Sequence, residues 1–129
     1  MRSLAVEVAV RVLIVDDRAP FREVARRVVD ASDGFEAVGE VESGEEAVLA
    51  AGRLQPDLVL MDVNLPGIDG VEATRRSRAA CGQIVVLLLS TADAEEDLQT
   101  AQCGASEYIP KSRFGPRALE LAWRSAVVT

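Results

Sequence analysis

Two uninterrupted aliphatic runs, Leu58-Val59-Leu60-Met61 and Ile84-Val85-Val86-Leu87-Leu88-Leu89, set the tightest limit on how this chain can fold. A strand with alternating polar residues can leave one face to water. These runs have no polar face, so both sides must be covered, as in the central strands of a parallel sheet flanked by helices. A third run, Val10-Arg11-Val12-Leu13-Ile14-Val15, is nearly as apolar. Segments with helical spacing separate the runs, and the strand–helix alternation recurs five times.

Strands are expected at about Val8–Val15, Phe35–Val41, Leu58–Asp62, Ile84–Leu89 and Glu107–Ile109. The first helix should start near Pro20, a residue suited to a first helical turn, with Phe21, Val24, Ala25, Val28 and Val29 as its core stripe. The Ser32-Asp33-Gly34 turn ends it. Ser43-Gly44-Glu45-Glu46 reads as a capping box opening a second helix that runs to about Leu54, before Pro56. Asp69 should cap a third helix to about Ala80. A fourth covers about Ala94–Cys103, with Gly104 as its stop, and Gly115-Pro116 opens a fifth to about Val127. Strands alternating with helices imply right-handed βαβ units and a parallel sheet.

The chain has 129 residues, enough for one domain with a real core, and no linker or repeat divides residues 1–129. Apolar residues make up 49%, which argues against disorder, and aromatics only 4%, so the core must be aliphatic. No apolar run approaches the roughly 20 residues of a membrane span, and Met1-Arg2-Ser3-Leu4 lacks a signal-peptide pattern, so a cytoplasmic protein without membrane contact is expected. There is no histidine, which excludes a histidine triad or a cysteine–histidine zinc site. Cys81 and Cys103 read as small half-buried residues near helix ends rather than a disulfide. A net charge of −7 argues against direct nucleic-acid binding. Arg22, Arg26 and Arg27, and Arg75, Arg76 and Arg78, read as solvated outer helix faces.

The chemistry concentrates where strands end. Asp16 and Asp17 close the first strand, Asp62 closes the third, and Lys111 follows the fifth. A parallel sheet gathers these ends along one edge, where ligands bind. Three carboxylates and one ammonium would then meet in a shallow crevice, which is costly unless a cation joins them. Oxygen-only ligands with room for water favour Mg²⁺, and holding or transferring a phosphoryl group is the job left for such a site. Each residue alone is weak evidence. Two aspartates after a strand are more often a helix N-cap and its neighbour than a metal site.

The combination resembles the receiver domain of bacterial two-component response regulators over nearly the whole chain. The matching stretches are Val12 to Asp17, Leu60-Met61-Asp62-Val63-Asn64-Leu65-Pro66-Gly67-Ile68-Asp69-Gly70, and Gly104-Ala105-Ser106-Glu107-Tyr108-Ile109-Pro110-Lys111. The resemblance implies a flavodoxin-like doubly wound (βα)5 sandwich with strand order 2-1-3-4-5. It implies that Asp62 is the phosphoacceptor and that Asp17, Asp62 and the Asn64 carbonyl bind Mg²⁺, with Asp16 acting through a metal-bound water. Lys111 would pair with a phosphoryl oxygen. Ser90 would supply the hydroxyl that bonds the phosphoryl group, with Thr91 its rival, and Tyr108 would be the aromatic switch. The Ser90–Lys111 interval is one residue shorter than the family pattern, and Ser112 stands where many members carry proline.

The implied function is a phosphorylation-controlled switch. A sensor histidine kinase or phosphotransfer protein donates the phosphoryl group. The face of helix four, strand five and helix five then changes and is read by an output domain or effector protein, and homodimers are compatible with this. Ser112 and the stretch Ser90 to Asp97 resemble regulators with helix-turn-helix outputs. An alternative is an unphosphorylated interaction module of the same fold, which does not need Asp16, Asp17, Asp62 and Lys111. A phosphohydrolase would want an acid at position 64, where Asn64 cannot serve, so the chain is expected to act on itself rather than as an enzyme on other substrates.

Overall fold

The structure, a computed structural model, describes residues 8–91 and 102–128. Five parallel strands form one sheet: β1 (Val10–Val15), β2 (Phe35–Val41), β3 (Leu58–Asp62), β4 (Val85–Ser90) and β5 (Glu107–Pro110). Their order is β2-β1-β3-β4-β5, the flavodoxin-like arrangement expected from the sequence. The described helices are α1 (Ala19–Asp30), α2 (Gly44–Leu54), α3 (Gly70–Ala80) and α4 (Pro116–Val127). Here α4 corresponds to the fifth expected helix. The expected fourth helix falls almost wholly outside the described residues, although Gly104, its anticipated stop, takes a left-handed φ of +100°.

Every residue of β3 and β4 is buried, as their unbroken aliphatic runs require. Strand alternation splits the core in two. Leu13, Val15, Val59, Met61, Val86 and Leu88 pack with Ala47, Ala50 and Ala51 of α2 and Val71 and Ala73 of α3. Val12, Ile14, Leu58, Leu60, Leu87, Leu89 and Ile109 pack with Ala25 and Val29 of α1 and Leu119 and Ala122 of α4. Side chains alternate between faces, so the parity carries past the strand ends. Asp16, Asp62 and Lys111 fall on the α1/α4 side, in step with Ile14, Leu60 and Ile109.

Several local expectations need correction. Strand β1 starts at Val10, because Val8 is 82% exposed, and β4 is shifted one residue to Val85–Ser90. Val24 is 48% exposed and lies at the margin of α1's core stripe. Ser43 caps α2 by accepting from the Glu46 N–H, but Glu46 does not complete a capping box. Its carboxylate accepts from the Ser43 hydroxyl instead of the backbone. Asp69 caps α3 as expected, accepting from the Glu72 N–H at 2.8 Å.

Two of the six arginines leave the solvated faces assigned to them. The Arg22 side chain is only 16% exposed: it donates to the Asp16 carbonyl at 2.8 Å and lies 3.7 Å from Glu40 of β2. Arg78 donates to the Ile84 carbonyl at 2.6 Å. Both are drawn in by backbone acceptors, which composition and spacing do not display. Arg26, Arg27, Arg75 and Arg76 stay outside and pair with Glu40, Glu23 and Glu72.

Candidate functional site

The chain leaves β1 at Val15 and turns through Asp16 and Asp17 into α1. Residue 18, not an aspartate, is the N-cap of α1, and it makes no side-chain cap bond. Asp16 instead folds back so that its Oδ1 accepts from the Arg18 N–H at 2.8 Å. Arg22, one turn into α1, holds the Asp16 carbonyl from behind. Asp16 is thus fixed by the loop, and neither aspartate is the cap of α1.

Asp62, the last residue of β3, is 4% exposed and sits opposite Leu89 of β4. Its Oδ1 accepts from the Asn64 N–H at 3.2 Å. The following loop must turn tightly into α3, and Gly70 makes that possible. A Cβ at residue 70 would collide with the Asp62 carbonyl, while the Gly70 N–H bonds the Val63 carbonyl at 2.9 Å. Glu45 braces the same loop by accepting from the Ile68 N–H at 3.1 Å; a bond from its own backbone N–H first, and this contact second, hold its carboxyl below the usual range.

These elements bring Asp16, Asp17 and Asp62 together, with one carboxylate oxygen from each within 4.8 Å of the others. Lys111, opening a short turn after β5, reaches in from the opposite side. Its Nζ lies 2.7 Å from Asp16 Oδ2 and 3.6 Å from Asp62 Oδ2. Asp17 is exposed, whereas Asp16 and Asp62 are buried. Within the cluster three carboxylates face a single ammonium. Burial pushes the Asp62 carboxyl above the usual carboxylate range, and Asp16 pushes it further. Lys111 and the Asn64 N–H pull back without cancelling that rise, and Asp17 adds to it.

Asp17, Arg18, Asp62, Asn64, Thr91 and Lys111 line a depression of about 90 Å³ over the cluster. Asp16 Oδ2 is buried and makes no well-aligned hydrogen bond, its short approach to Lys111 being an ion pair off the bonding angle. An oxygen-only donor set, excess negative charge and an under-satisfied buried oxygen fit a hard divalent cation such as Mg²⁺.

Ser90 is 3% exposed at the end of β4, opposite Pro110 of β5, and by alternation lies on the α2/α3 face. Tyr108 pairs with Leu88 and packs half-buried against the α2/α3 core layer. The two share a sheet face, two positions apart in register. Thr91 is exposed and lines the depression. Sequence reasoning missed Arg22, Glu45 and Phe21. Phe21 was placed in the core stripe, yet its ring centroid lies 4.3 Å from Lys111 Nζ.

The fold and the acidic pocket define a flavodoxin-like α/β domain with a carboxylate cluster at the C-terminal edge of its sheet. The model of the response regulator receiver domain matches residues 12–123, and the chain belongs to that family. The acidic pocket is compatible with Mg²⁺ and with an aspartyl phosphate. Over 105 residues the chain is 42% identical to response regulator GacA of Pseudomonas protegens, covering 79% of this chain and 48% of that protein. It is 38% identical over 112 residues to transcriptional regulatory protein DegU of Brevibacillus brevis, covering 86% and 48%. A protein-glutamate methylesterase/protein-glutamine glutaminase of a Nocardioides species is 35% identical, with 79% and 29% covered. The chain thus spans about half or less of the length of these relatives. Among solved structures, the signal receiver domain of the putative response regulator NarL from Mycobacterium tuberculosis superposes with a TM-score of 0.85 at 28% identity, covering 95% of this chain and 99% of that one. The receiver domain of Thermotoga maritima CheB gives 0.82 at 27% identity, with 94% and 98% covered. Among the described residues no helix is long and apolar enough to cross a membrane. Cys81 is half-buried and Cys103 is buried.

Proposed function

We propose that this receiver domain is a phosphorelay switch that takes a phosphoryl group onto Asp62 from a partner histidine kinase or phosphotransfer protein. The observation that carries the reading is the convergence of Asp16, Asp17 and Asp62 with Lys111 at the C-terminal edge of the sheet. An Asp62 carboxylate oxygen attacks phosphorus as the donor's bond to phosphorus breaks, leaving an acyl phosphate that water can later cleave. Asp17, Asp62 and the Asn64 carbonyl would hold Mg²⁺, with Asp16 acting through water. When bound, that ion neutralises charge on the phosphoryl oxygens. Lys111 supplies a point charge to a phosphoryl oxygen from the other side.

Ser90, at the end of β4, then bonds the phosphoryl group and Tyr108 turns inward. The surface formed by β5, α4 and the segment between β4 and β5 changes with them, a local charge event biasing a bistable element. An output domain or effector protein reads that surface, and a homodimer through it fits the same logic. In this reading residues 1–129 act as one domain in the cytoplasm, without touching nucleic acid. The chain turns over only its own phosphoryl group.

Intact-mass analysis after exposure to Mg²⁺ and a small acyl phosphate tests the proposal. One phosphoryl group should appear on the wild-type chain and none on Asp62→Asn. Label on another residue would overturn the assignment. Amide shifts on adding beryllofluoride test the hydroxyl. Ser90→Ala should still bind it at Asp62 but lose the response at residues 102–108, and loss in Thr91→Ala alone would transfer the role to Thr91.

A further inference from the structure

Lys111 is charged, yet its side chain is only 9% exposed. Its two carboxylate partners do not account for all of its surroundings. The next contact is the ring of Phe21, with its centroid 4.3 Å from Nζ. Phe21 is the third residue of α1, just past the Asp16-Asp17 turn, and packs half-buried in the α1/α4 core layer. Behind it stands Phe114, which follows the Lys111–Arg113 turn, at a centroid distance of 6.3 Å. The ring is therefore wedged between the element that carries the acidic pair and the element that carries the lysine. A ring face attracts an ammonium through its quadrupole, and more strongly where water is scarce.

We propose that Phe21 is a positioning residue whose ring keeps the Lys111 ammonium within reach of Asp62 once the Asp16 carboxylate is engaged by a metal ion. The inference rests on the reading of Asp62 as phosphoacceptor. In the structure Lys111 leans on Asp16 at 2.7 Å and stands 3.6 Å from Asp62. Asp16 is a compromised anchor, because a cation in the pocket draws on the same carboxylate. Another carboxylate would hold the lysine, but it would deepen the negative excess and repel phosphoryl oxygens. A neutral ring attracts the ammonium without either effect. Leucine at the position would fill much of the same space without the quadrupole, whereas tyrosine would keep it.

The test compares wild type with Phe21→Leu, Phe21→Met, Phe21→Tyr and Phe114→Leu. The first readout needs neither metal nor donor: the Lys111 methylene protons next to Nζ should be displaced upfield by the ring. That displacement should vanish in Phe21→Leu and Phe21→Met and persist in Phe21→Tyr and Phe114→Leu. The second readout is labelling by an acyl phosphate at saturating Mg²⁺. It should slow about three- to tenfold in the leucine and methionine variants, recover in tyrosine, and leave the Mg²⁺ Kd within about twofold of wild type. The methionine variant guards against misfolding of the leucine one. A wild-type Lys111 signal without the ring displacement overturns the contact, and unchanged labelling in both aliphatic variants overturns its role, as does a tyrosine variant as slow as leucine. An unlabelled wild-type chain that keeps the displacement would instead strike down Asp62 as phosphoacceptor, and the role assigned to Phe21 with it.

Discussion

At the N-terminal ends of the strands, Arg11 is tied down through both its backbone and its side chain. Its backbone N–H donates to Asp57 Oδ2 at 2.9 Å, and its guanidinium donates to the carbonyls of Leu54 and Gln55 at 2.6 and 2.9 Å. Those carbonyls end α2, where a helix leaves acceptors without partners, and Gln55 adopts the left-handed conformation that closes it. At the C-terminal ends the arrangement is the reverse. Three carboxylates share one ammonium, Asp16 Oδ2 lacks a well-aligned donor, and Asp62 is held above its ordinary range. Both ends hold partly buried charge at the tips of the same strands. One spends it on completing the backbone's hydrogen bonds. The other keeps an unbalanced excess, which is useful only if something positive, or a phosphoryl group and its counter-ion, arrives. Imbalance, more than burial, separates the acidic end from the structural one.

Two substitutions separate the ends by how each is built. Gly70→Ala should have the largest effect, since its Cβ would collide with the Asp62 carbonyl and with Val63. Relief requires moving the β3–α3 loop, so a loss of about 3 kcal/mol or more is expected in urea unfolding, with labelling at Asp62 disrupted. Arg11→Met should cost about 2 kcal/mol by leaving the α2 carbonyls without their donor. It should leave the Mg²⁺ response of residues 16, 17 and 62 unchanged. A changed response there would show that the ends are coupled.

Much of this contrast could be read in advance. The convergence of Asp16, Asp17, Asp62 and Lys111 was legible because each stands at the end of an expected strand, and a parallel sheet collects such positions at one edge. The strand order followed from the alternation and the family resemblance. The partners were not legible. Phe21, Arg22 and Glu45 lie on helices whose spacing announces only a face, core or solvent, and their roles depend on contacts with remote backbone or with Lys111. Arg11 looked like a polar interruption in an apolar strand, because nothing in its neighbourhood shows that α2 ends beside it. The half-formed capping box has the same origin. The sequence pattern marks Ser43 and Glu46 as partners, whereas the rotamers decide which atoms bond.

A divalent cation should act on one end only. With Mg²⁺ at about ten times its Kd, the folded state should gain about 1.4 kcal/mol by mass action. Asp17→Asn should abolish most of that gain, while Asp57→Asn, at the opposite end, should keep it. Thermal unfolding across a Mg²⁺ titration gives the measurement, and equal gains in the two variants would remove Asp17 from the site.

The smallest effect expected comes from titrating the imbalance itself. The Asp62 carboxyl is raised above its ordinary value by burial first and by Asp16 second. Between the unfolded and folded pKa values the native state binds more protons than the unfolded chain, so stability falls as pH rises through that window. Above it, ionised Asp62 is a standing cost; below it, the cost is gone. Asp62→Asn keeps the size and can still accept from the Asn64 N–H, but it cannot ionise. The variant should therefore be more stable than wild type at neutral pH, by about 1 kcal/mol or a few degrees in Tm. The advantage should shrink as pH is lowered through the raised pKa of Asp62. Mg²⁺ should narrow it at neutral pH as well, because a cation relieves the same repulsion in wild type. Paired melting curves from pH 7 down into the acid range, with and without Mg²⁺, follow the difference directly. An advantage that grew on acidification would mean that Lys111 already compensates Asp62, and the excess charge at this end would have to be assigned to Asp16 and Asp17.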